Sequence, residues 1–343
     1  MTGQIFQKGA EGLIIYGNSE PRRLVSEMIK KQREPHSIMI HGEKGLGKKT
    51  LARWIAAALL CERQSGEPCG VCRTCKMIAD GVHPDVMVAK ANSNGNYIVD
   101  EAIRPIVADA SIAPNEARMK VYIIPDLDMS VNTVVQVQNI LLKVIEEPPE
   151  HTAIILTARS KEVFLPTIIS RVLSLGMTTV TEAESMACLR EKFPDASPAH
   201  ISEAVAAGRG NIGRCVQYLE HAQFFDSVKL ARGLCSAMCG GSEYDVLKTL
   251  FAADGKKVLL REGLSLFEEI LRDSAAFRLG GESEKSVSCD KEGAKALSRS
   301  LSSDQAVRLY DIVSDYIGRI DANCNISLTI NSLAGQIYSV TGK

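Results

Sequence analysis

The sequence lacks an excess of charge of either sign. Lys and Arg together number 40 and Asp and Glu 41, so the formal net charge is −1 at neutral pH. No bulk electrostatic field therefore draws the whole molecule to nucleic acid or to a membrane surface. Any contact with DNA must be local.

Targeting and membrane signals are also missing. Residues 1–20 mix Gln, Lys, Glu and Asn with short apolar pairs, unlike a secretory signal peptide, and no apolar run reaches the length of a membrane span. These absences predict a cytoplasmic protein. In such a reducing compartment the ten cysteines do not indicate a disulfide framework.

Four of the cysteines lie close together, at Cys61, Cys69, Cys72 and Cys75. Two-residue gaps between the last three let neighbouring thiolates reach one tetrahedral ion. Zn²⁺ is the expected occupant, in a structural role, because four cysteine ligands leave no open position for catalysis. On ligand type alone, thiolates also suit an iron–sulfur cluster. We interpret the remaining cysteines as small buried apolar side chains; they are Cys188, Cys215, Cys235, Cys239, Cys289 and Cys324.

A glycine-rich turn nearly completes a phosphate-binding P-loop. It reads His41-Gly42-Glu43-Lys44-Gly45-Leu46-Gly47-Lys48-Lys49-Thr50. In a P-loop, glycines let backbone N–H groups surround phosphate, a lysine neutralises it, and a Ser or Thr hydroxyl holds Mg²⁺. Gly42, Gly45, Gly47 and Lys48 are therefore candidate nucleotide-binding residues. Lys49 occupies the hydroxyl position, where an ammonium has only donors and cannot ligate a cation.

Apolar runs of strand length alternate with helical segments through the first half of the chain. The runs are 37–41, 86–88, 120–124 and 153–157. This alternation predicts a parallel sheet covered by helices, with the glycine-rich turn between a strand and the helical segment 48–60. Residues 178–343 have few β-rich runs, so we expect them to be helical. The polar stretch 280–295 has too little apolar content to pack, which predicts a mobile connection.

A second departure from the P-loop pattern affects the same ion. The run 120–124 is followed by Pro125 and Asp126, where P-loop ATPases carry an acidic pair that orients Mg²⁺ and the attacking water. Proline occupies the position of the metal-orienting Asp. Phosphoryl transfer depends on that ion to offset developing charge. Lys49 and Pro125 together predict that the chain alone does not hydrolyse ATP, while binding of ATP or ADP is left open.

Several strings occur in a fixed order along the chain. They are the P-loop-like turn, the four-cysteine insert, His83-Pro84-Asp85, the run from Asn139 through Glu146-Glu147-Pro148-Pro149, and Leu165-Pro166-Thr167-Ile168-Ile169-Ser170-Arg171. In this order they resemble the bacterial clamp-loader branch of the AAA+ family. The last two strings together are highly specific, whereas the turn alone is not. The resemblance is dense from residue 18 to 177, and it thins through Gly210–Arg214 and Phe267–Asp273.

The resemblance implies a role for Arg171. In the family, a Ser-Arg-Cys string places an arginine at the subunit boundary, where it reaches the neighbouring subunit's nucleotide as an arginine finger in trans. Ser170 and Arg171 match that string, and Val172 replaces the cysteine. The alternative is that Arg171 caps a helix or pairs with a local carboxylate. Ala158 and Gly213 stand where motor subunits carry residues that sense phosphate.

The resemblance also implies a domain organisation and a function. Residues 1–177 would form an AAA+-type P-loop α/β domain with a zinc module at 61–75, residues 178–222 a helical lid, and residues 223–343 a helical collar for oligomerisation. The chain would be a non-hydrolysing clamp-loader subunit of a DNA polymerase holoenzyme that helps to load the sliding clamp onto primed DNA. Its implied partners are gamma/tau-type motor subunits and a delta subunit, with no membrane.

Two alternatives stay open. One is the gamma/tau-type motor subunit of the same complex, a true ATPase, against which Lys49 and Pro125 count. The other is a zinc-bearing nucleotide-sensing module outside replication. Copurification of partner proteins would separate the second alternative from a replication role.

Overall fold

The chain folds into two compact units, and the division between them falls between Val180 and Thr181. The computed structural model describes residues 11–93, 95–129, 133–281 and 286–342. The predicted organisation into a domain at 1–177, a lid at 178–222 and a collar at 223–343 stays a prediction.

The first unit is built on one parallel sheet of five strands in the order β2-β3-β4-β1-β5. The strands are β1 (Ser37–His41), β2 (Val86–Val88), β3 (Lys120–Ile124), β4 (Thr152–Ala158) and β5 (Leu173–Gly176). Every residue of β3 and β4 is buried, as expected for strands covered by helices on both faces. The predicted P-loop-type α/β fold class is confirmed, and each predicted apolar run is a strand.

Helices cover both faces of this sheet. They are α1 (Ser19–Lys30), α2 (Lys48–Leu60), α3 (Arg73–Ala79), α4 (Arg104–Asp109), α5 (Val134–Glu146) and α6 (Pro166–Ile169). Successive side chains of a strand point to opposite faces. Ile38 and Ile40 of β1 accordingly join the apolar cluster beneath α1, α2 and α3. Met39 joins the cluster beneath α4, α5 and α6.

The second unit contains no strand among its described residues, as predicted. Its helices are α7 (Glu182–Lys192), α8 (Pro198–Gly208), α9 (Ile212–Glu220), α10 (Ala222–Gly240), α11 (Glu243–Phe251), α12 (Lys257–Arg278), α13 (Lys291–Ser300), α14 (Ser303–Asp321) and α15 (Ile326–Thr341). Leu260, Leu264 and Phe267 of α12 are fully buried in the apolar core of this unit. No helix in the described part of the chain is both long and apolar enough to cross a membrane.

The prediction of a mobile connection at 280–295 is wrong for its second part. Residues 282–285 lie outside the described residues. From Ser286 onward the chain is held by Asp273, whose Oδ2 accepts hydrogen bonds from the Ser286 hydroxyl (2.6 Å) and the Ser288 amide (2.8 Å). The buried Asp273 carboxylate therefore orders this polar segment, which has few apolar side chains to pack. Helix α13 begins at Lys291.

Candidate functional site

The glycine-rich turn has the backbone that its sequence predicts. It leaves β1 and enters α2, and Gly42, Gly45 and Gly47 all have positive φ, at 147°, 94° and 89°. This region is strained for residues with a side chain. Gly42 is further restricted by space, because an added Cβ would lie 2.7 Å from the Met177 carbonyl oxygen. The structure therefore brings together the predicted phosphate-loop glycines.

The Lys48 ammonium is engaged by the turn itself. Its Nζ donates hydrogen bonds to the carbonyl oxygens of Gly42 (2.7 Å) and Glu43 (2.9 Å). The side chain is buried, and burial lowers the pKa of Lys48, although the nearby carboxylates of Asp126 and Asp128 oppose that shift. The Lys48 ammonium is thus hydrogen-bonded to carbonyl groups of the turn itself.

Lys49 forms an ion pair at the expected position of the Mg²⁺ site. Its Nζ lies 2.7 Å from Oδ2 of Asp126, the residue that follows Pro125. Asp126 is fixed in turn, because its amide donates to the Thr157 hydroxyl at 2.8 Å and its φ of 50° is left-handed. The positive charge that neutralises Asp126 therefore belongs to a lysine side chain. Lys49, Pro125 and Asp126 line a cleft of about 380 Å³ together with Tyr97.

The two positions compared with phosphate sensors offer no free group to a nucleotide. Ala158 is fully buried and has no polar side-chain atom. Arg214, which follows Gly213, donates hydrogen bonds from both Nη atoms to Glu269, at 3.0 and 2.8 Å. Arg214 and Glu269 both belong to the second unit, so Arg214 is committed to an ion pair inside it.

The four clustered cysteines are brought together as predicted. Their Sγ atoms all lie within 4.8 Å of one another. Four thiolates around one Zn²⁺ at about 2.3 Å would have sulfurs about 3.8 Å apart, so the set fits a tetrahedral ion after slight contraction. Cys61 follows the last residue of α2, and Cys72 caps α3, where its Sγ accepts a hydrogen bond from the Cys75 amide at 3.4 Å.

The thiols of this cluster are shifted in opposite directions. A hydrogen bond from the Cys75 thiol lowers the pKa of Cys61 to about 4, whereas the same contact and burial raise the pKa of Cys75. Burial also raises the pKa of Cys72. Backbone N–H groups also donate to the sulfurs of Cys69 and Cys72. Cys61 and Cys75 are buried within the same apolar cluster as α2, so the cysteine segment is anchored to the helix that begins at the glycine-rich turn.

Arg171 lies on the surface and is held by residues of its own chain. It follows α6 and Ser170. Its Nε lies 3.3 Å from Oε1 of Glu146, and its Nη1 donates to the Thr167 carbonyl and to the Ser170 hydroxyl, both at 3.0 Å. These are the contacts of the alternative stated above, an arginine that caps a helix and pairs with a local carboxylate, although Glu146 was not singled out as the partner.

Two further motif residues have structural roles. Both carboxylate oxygens of Asp85 accept hydrogen bonds from the loop 115–117, through the Asn115 amide (2.6 Å) and side chain (2.9 Å), the Glu116 amide (2.9 Å) and the Ala117 amide (2.8 Å). His83 is buried beside it and accepts from the Asp85 amide. The His-Pro-Asp string therefore fixes a loop and supplies no reactive group.

Several known proteins resemble the chain over part of its length. A family model described as "DNA polymerase III, delta subunit" matches residues 17–181. DNA polymerase III subunit delta' of Bacillus subtilis is 31% identical over 211 residues, which cover 61% of each chain. The same subunit of Pseudomonas aeruginosa is 30% identical over 190 residues, 55% of this chain and 57% of the relative.

Subunit tau of DNA polymerase III from Escherichia coli is 27% identical over 233 residues, 65% of this chain and 35% of that protein. Each match thus spans less than two thirds of the relative's own length. These matches to DNA polymerase III subunits confirm the resemblance to the clamp-loader branch that the sequence motifs predicted.

Proposed function

We propose that the chain acts as a non-hydrolysing, delta-prime-like subunit of a bacterial DNA polymerase III clamp loader. It would assemble with gamma/tau-type motor subunits and a delta subunit, and help to load the sliding clamp onto primed DNA. The observation that carries this proposal is the ion pair between Lys49 and Asp126, which places a lysine ammonium where a P-loop ATPase holds Mg²⁺. The relatives named delta' supply the assembly in which such a chain would work.

The proposed contribution of this subunit to catalysis is Arg171. Its guanidinium is surface-exposed, with 44% of the side chain accessible. A fixed positive charge with planar donors stabilises the charge that develops on γ-phosphate oxygens, in a way that an ammonium matches poorly. Arg171 would act in trans, at the nucleotide of the adjacent motor subunit, with Ser170 supporting it. Zn²⁺ on Cys61, Cys69, Cys72 and Cys75 would be structural.

The test is Arg171→Ala in the reconstituted complex. The variant should fold and assemble, because an exposed arginine contributes little to its own core. DNA-stimulated hydrolysis at the adjacent site should fall by about 10³-fold or more, the effect of an arginine finger. Total turnover should fall only in part, since other motor sites keep their own arginines. Arg171→Lys should not restore the adjacent site, because the fork of donors is lost.

Arg23→Ala is a suitable control. Arg23 is also exposed and also pairs with a glutamate, Glu27, at 3.8 Å, so its loss should leave turnover unchanged. An Arg171→Ala complex that assembles, hydrolyses ATP and loads clamps at the wild-type rate would show that the arginine is structural.

The relative named tau makes the motor subunit the competing proposal. The contacts of Lys48 and Lys49 disfavour it, because both ammonium groups are already engaged within the chain. A nucleotide-sensing module outside replication is separated from both by pull-down from native cells, which should recover clamp-loader subunits.

A further inference from the structure

Arg171 is held at one edge of its guanidinium and left open at the other. Nε faces Glu146, and Nη1 donates to Thr167 and Ser170. The Ser170 hydroxyl in turn donates to the Thr167 carbonyl at 3.1 Å, which fixes it as an acceptor for the arginine. No hydrogen bond from Nη2 is found among the described residues. The group is therefore oriented with Nη2 available to another molecule.

The residues that hold Arg171 lie on two helices that are anchored in the core. Glu146 is the last residue of α5, whose Leu141 and Ile145 are buried in the core of the first unit. Pro148 and Pro149 follow and cannot continue the helix. Thr167 belongs to α6, which is anchored in the same cluster by the fully buried Ile168. Both supports of the guanidinium are thus fixed by packing.

We propose that Glu146 is the positioning residue for Arg171. It orients the guanidinium so that Nη2 points away from its own subunit, toward a phosphate of a neighbouring chain. This inference rests on the proposed function, since it assumes that Arg171 works in trans. The physical basis is preorganisation, because a side chain already held in the bound rotamer loses less entropy when the neighbouring site forms.

The expected effect is moderate. The side chains of Arg171 and Glu146 are 44% and 45% exposed, and exposed ion pairs are weak, so removing Glu146 should lower the turnover of the adjacent site about two- to fivefold. The effect should fall on kcat, while KM for ATP stays unchanged, because the arginine acts on the transition state. High salt should reduce the difference between the wild type and the variant.

The experiment compares Glu146→Gln with Glu147→Gln in the assembled complex. Glu147 is the adjacent exposed carboxylate, and no ion pair of it is found in the described part of the chain, so its variant removes the same charge without the contact. Glu146→Gln should lower kcat and Glu147→Gln should not. Glu146→Asp, which keeps the carboxylate, should have a kcat between that of Glu146→Gln and that of the wild type. Size-exclusion chromatography verifies that each complex assembles.

A third comparison distinguishes this inference from the proposed function. Glu146→Gln should have no further effect in the Arg171→Ala background, since the positioned group is gone. If Arg171→Ala lowers turnover but Glu146→Gln does not, the positioning role is wrong and the trans role stands. If Glu146→Gln lowers the rate equally in both backgrounds, or raises KM at unchanged kcat, Glu146 acts by another route. If Arg171→Ala has no effect, the proposed function itself is wrong.

Discussion

Arg214 and Glu269 form a two-point ion pair inside the second unit. Nη1 of Arg214 lies 3.0 Å from Oε2 of Glu269, and Nη2 lies 2.8 Å from Oε1. The side chains are only 26% and 23% exposed. Parallel hydrogen bonds between a guanidinium and a carboxylate are strong and geometrically specific. The pair joins α9 to α12, so it crosses the boundary predicted between lid and collar.

The Arg214–Glu269 pair should therefore contribute measurably to stability. A double-mutant cycle with Arg214→Ala and Glu269→Ala, followed by chemical denaturation, should give a coupling free energy of about 1–2 kcal/mol. The pair Arg319–Asp315 is a matched control, with 51% and 58% of the side chains exposed. Its coupling should be no more than about 0.5 kcal/mol. Equal coupling in the two cycles would contradict a special role for Arg214.

ATP turnover by the isolated chain should stay at background. The reason is that Lys49 and Pro125 remove the ligands for Mg²⁺, without which phosphoryl transfer is slow. Release of phosphate would be measured with and without Mg²⁺, and Lys48→Ala serves as the control for contaminating ATPases. Mg²⁺-dependent turnover that disappears in Lys48→Ala would refute this expectation.

The purified chain should contain one equivalent of Zn²⁺. Cys72→Ser should lose most of it, since three thiolates hold the ion less tightly than four. Cys324→Ser is the control, because Cys324 is exposed and outside the cluster, and its metal content should match the wild type. Metal analysis below half an equivalent in fresh wild-type protein would count against the site.

Removing the metal should also lower the thermal stability of the first unit. Cys61 and Cys75 are buried in the cluster that contains α2. Without the metal, this part of the core would therefore lose a cross-link. A chelator titration followed by scanning calorimetry measures the shift. An unchanged transition after complete removal of metal would show that the cysteine segment is uncoupled from the core.

Asp85 should make stability depend on acid pH. Burial raises the pKa of this carboxyl, but the hydrogen bonds from Asn115, Glu116 and Ala117 outweigh it and hold the pKa below the ordinary value of 3.8. A carboxyl group whose pKa is lower in the folded state stabilises the fold at pH values above its unfolded-state pKa. This contribution to stability is lost as the pH falls through the folded-state pKa. Acid should therefore weaken the fold below about pH 3.8.

Asp85→Asn measures this contribution directly. At pH 7 the variant should lose about 1–3 kcal/mol of unfolding free energy, because an amide cannot accept all the hydrogen bonds that the carboxylate does. The difference from wild type should narrow as the pH falls below 3.8. Asp80→Asn, at an exposed carboxyl, should change stability by less than about 0.5 kcal/mol at either pH. A pH-independent difference for Asp85→Asn would contradict the assignment.

Local signals in the sequence predicted much of this architecture. The strands, the glycine-rich turn and the cysteine cluster each depend on residues close together in the chain, and all are found in the structure. The partners of Lys49, Arg171 and Arg214 could not be predicted in this way. Each pairs with a residue distant in sequence, and the sheet order and helix packing decide which of these side chains come into contact.

Contacts between residues distant in sequence also decide whether a polar segment is ordered. The region after Gly280 was expected to be mobile because it has few apolar residues, yet Ser286 and Ser288 are fixed by the buried carboxylate of Asp273. Composition measures how much apolar surface a segment can bury. It does not show that another element offers an acceptor for its hydrogen bonds.

The ion pair between Lys49 and Asp126 also has a consequence for single substitutions. Lys49→Thr would restore a hydroxyl but leave Asp126 without its cation, while Pro125→Asp would add a carboxylate although the lysine still fills the Mg²⁺ position. Asp126 has a φ of 50°, which Asp tolerates better than the longer Glu that working ATPases carry there. Each single reversion loses an existing interaction before a metal site is gained. Neither substitution alone should therefore give the chain Mg²⁺-dependent ATP hydrolysis.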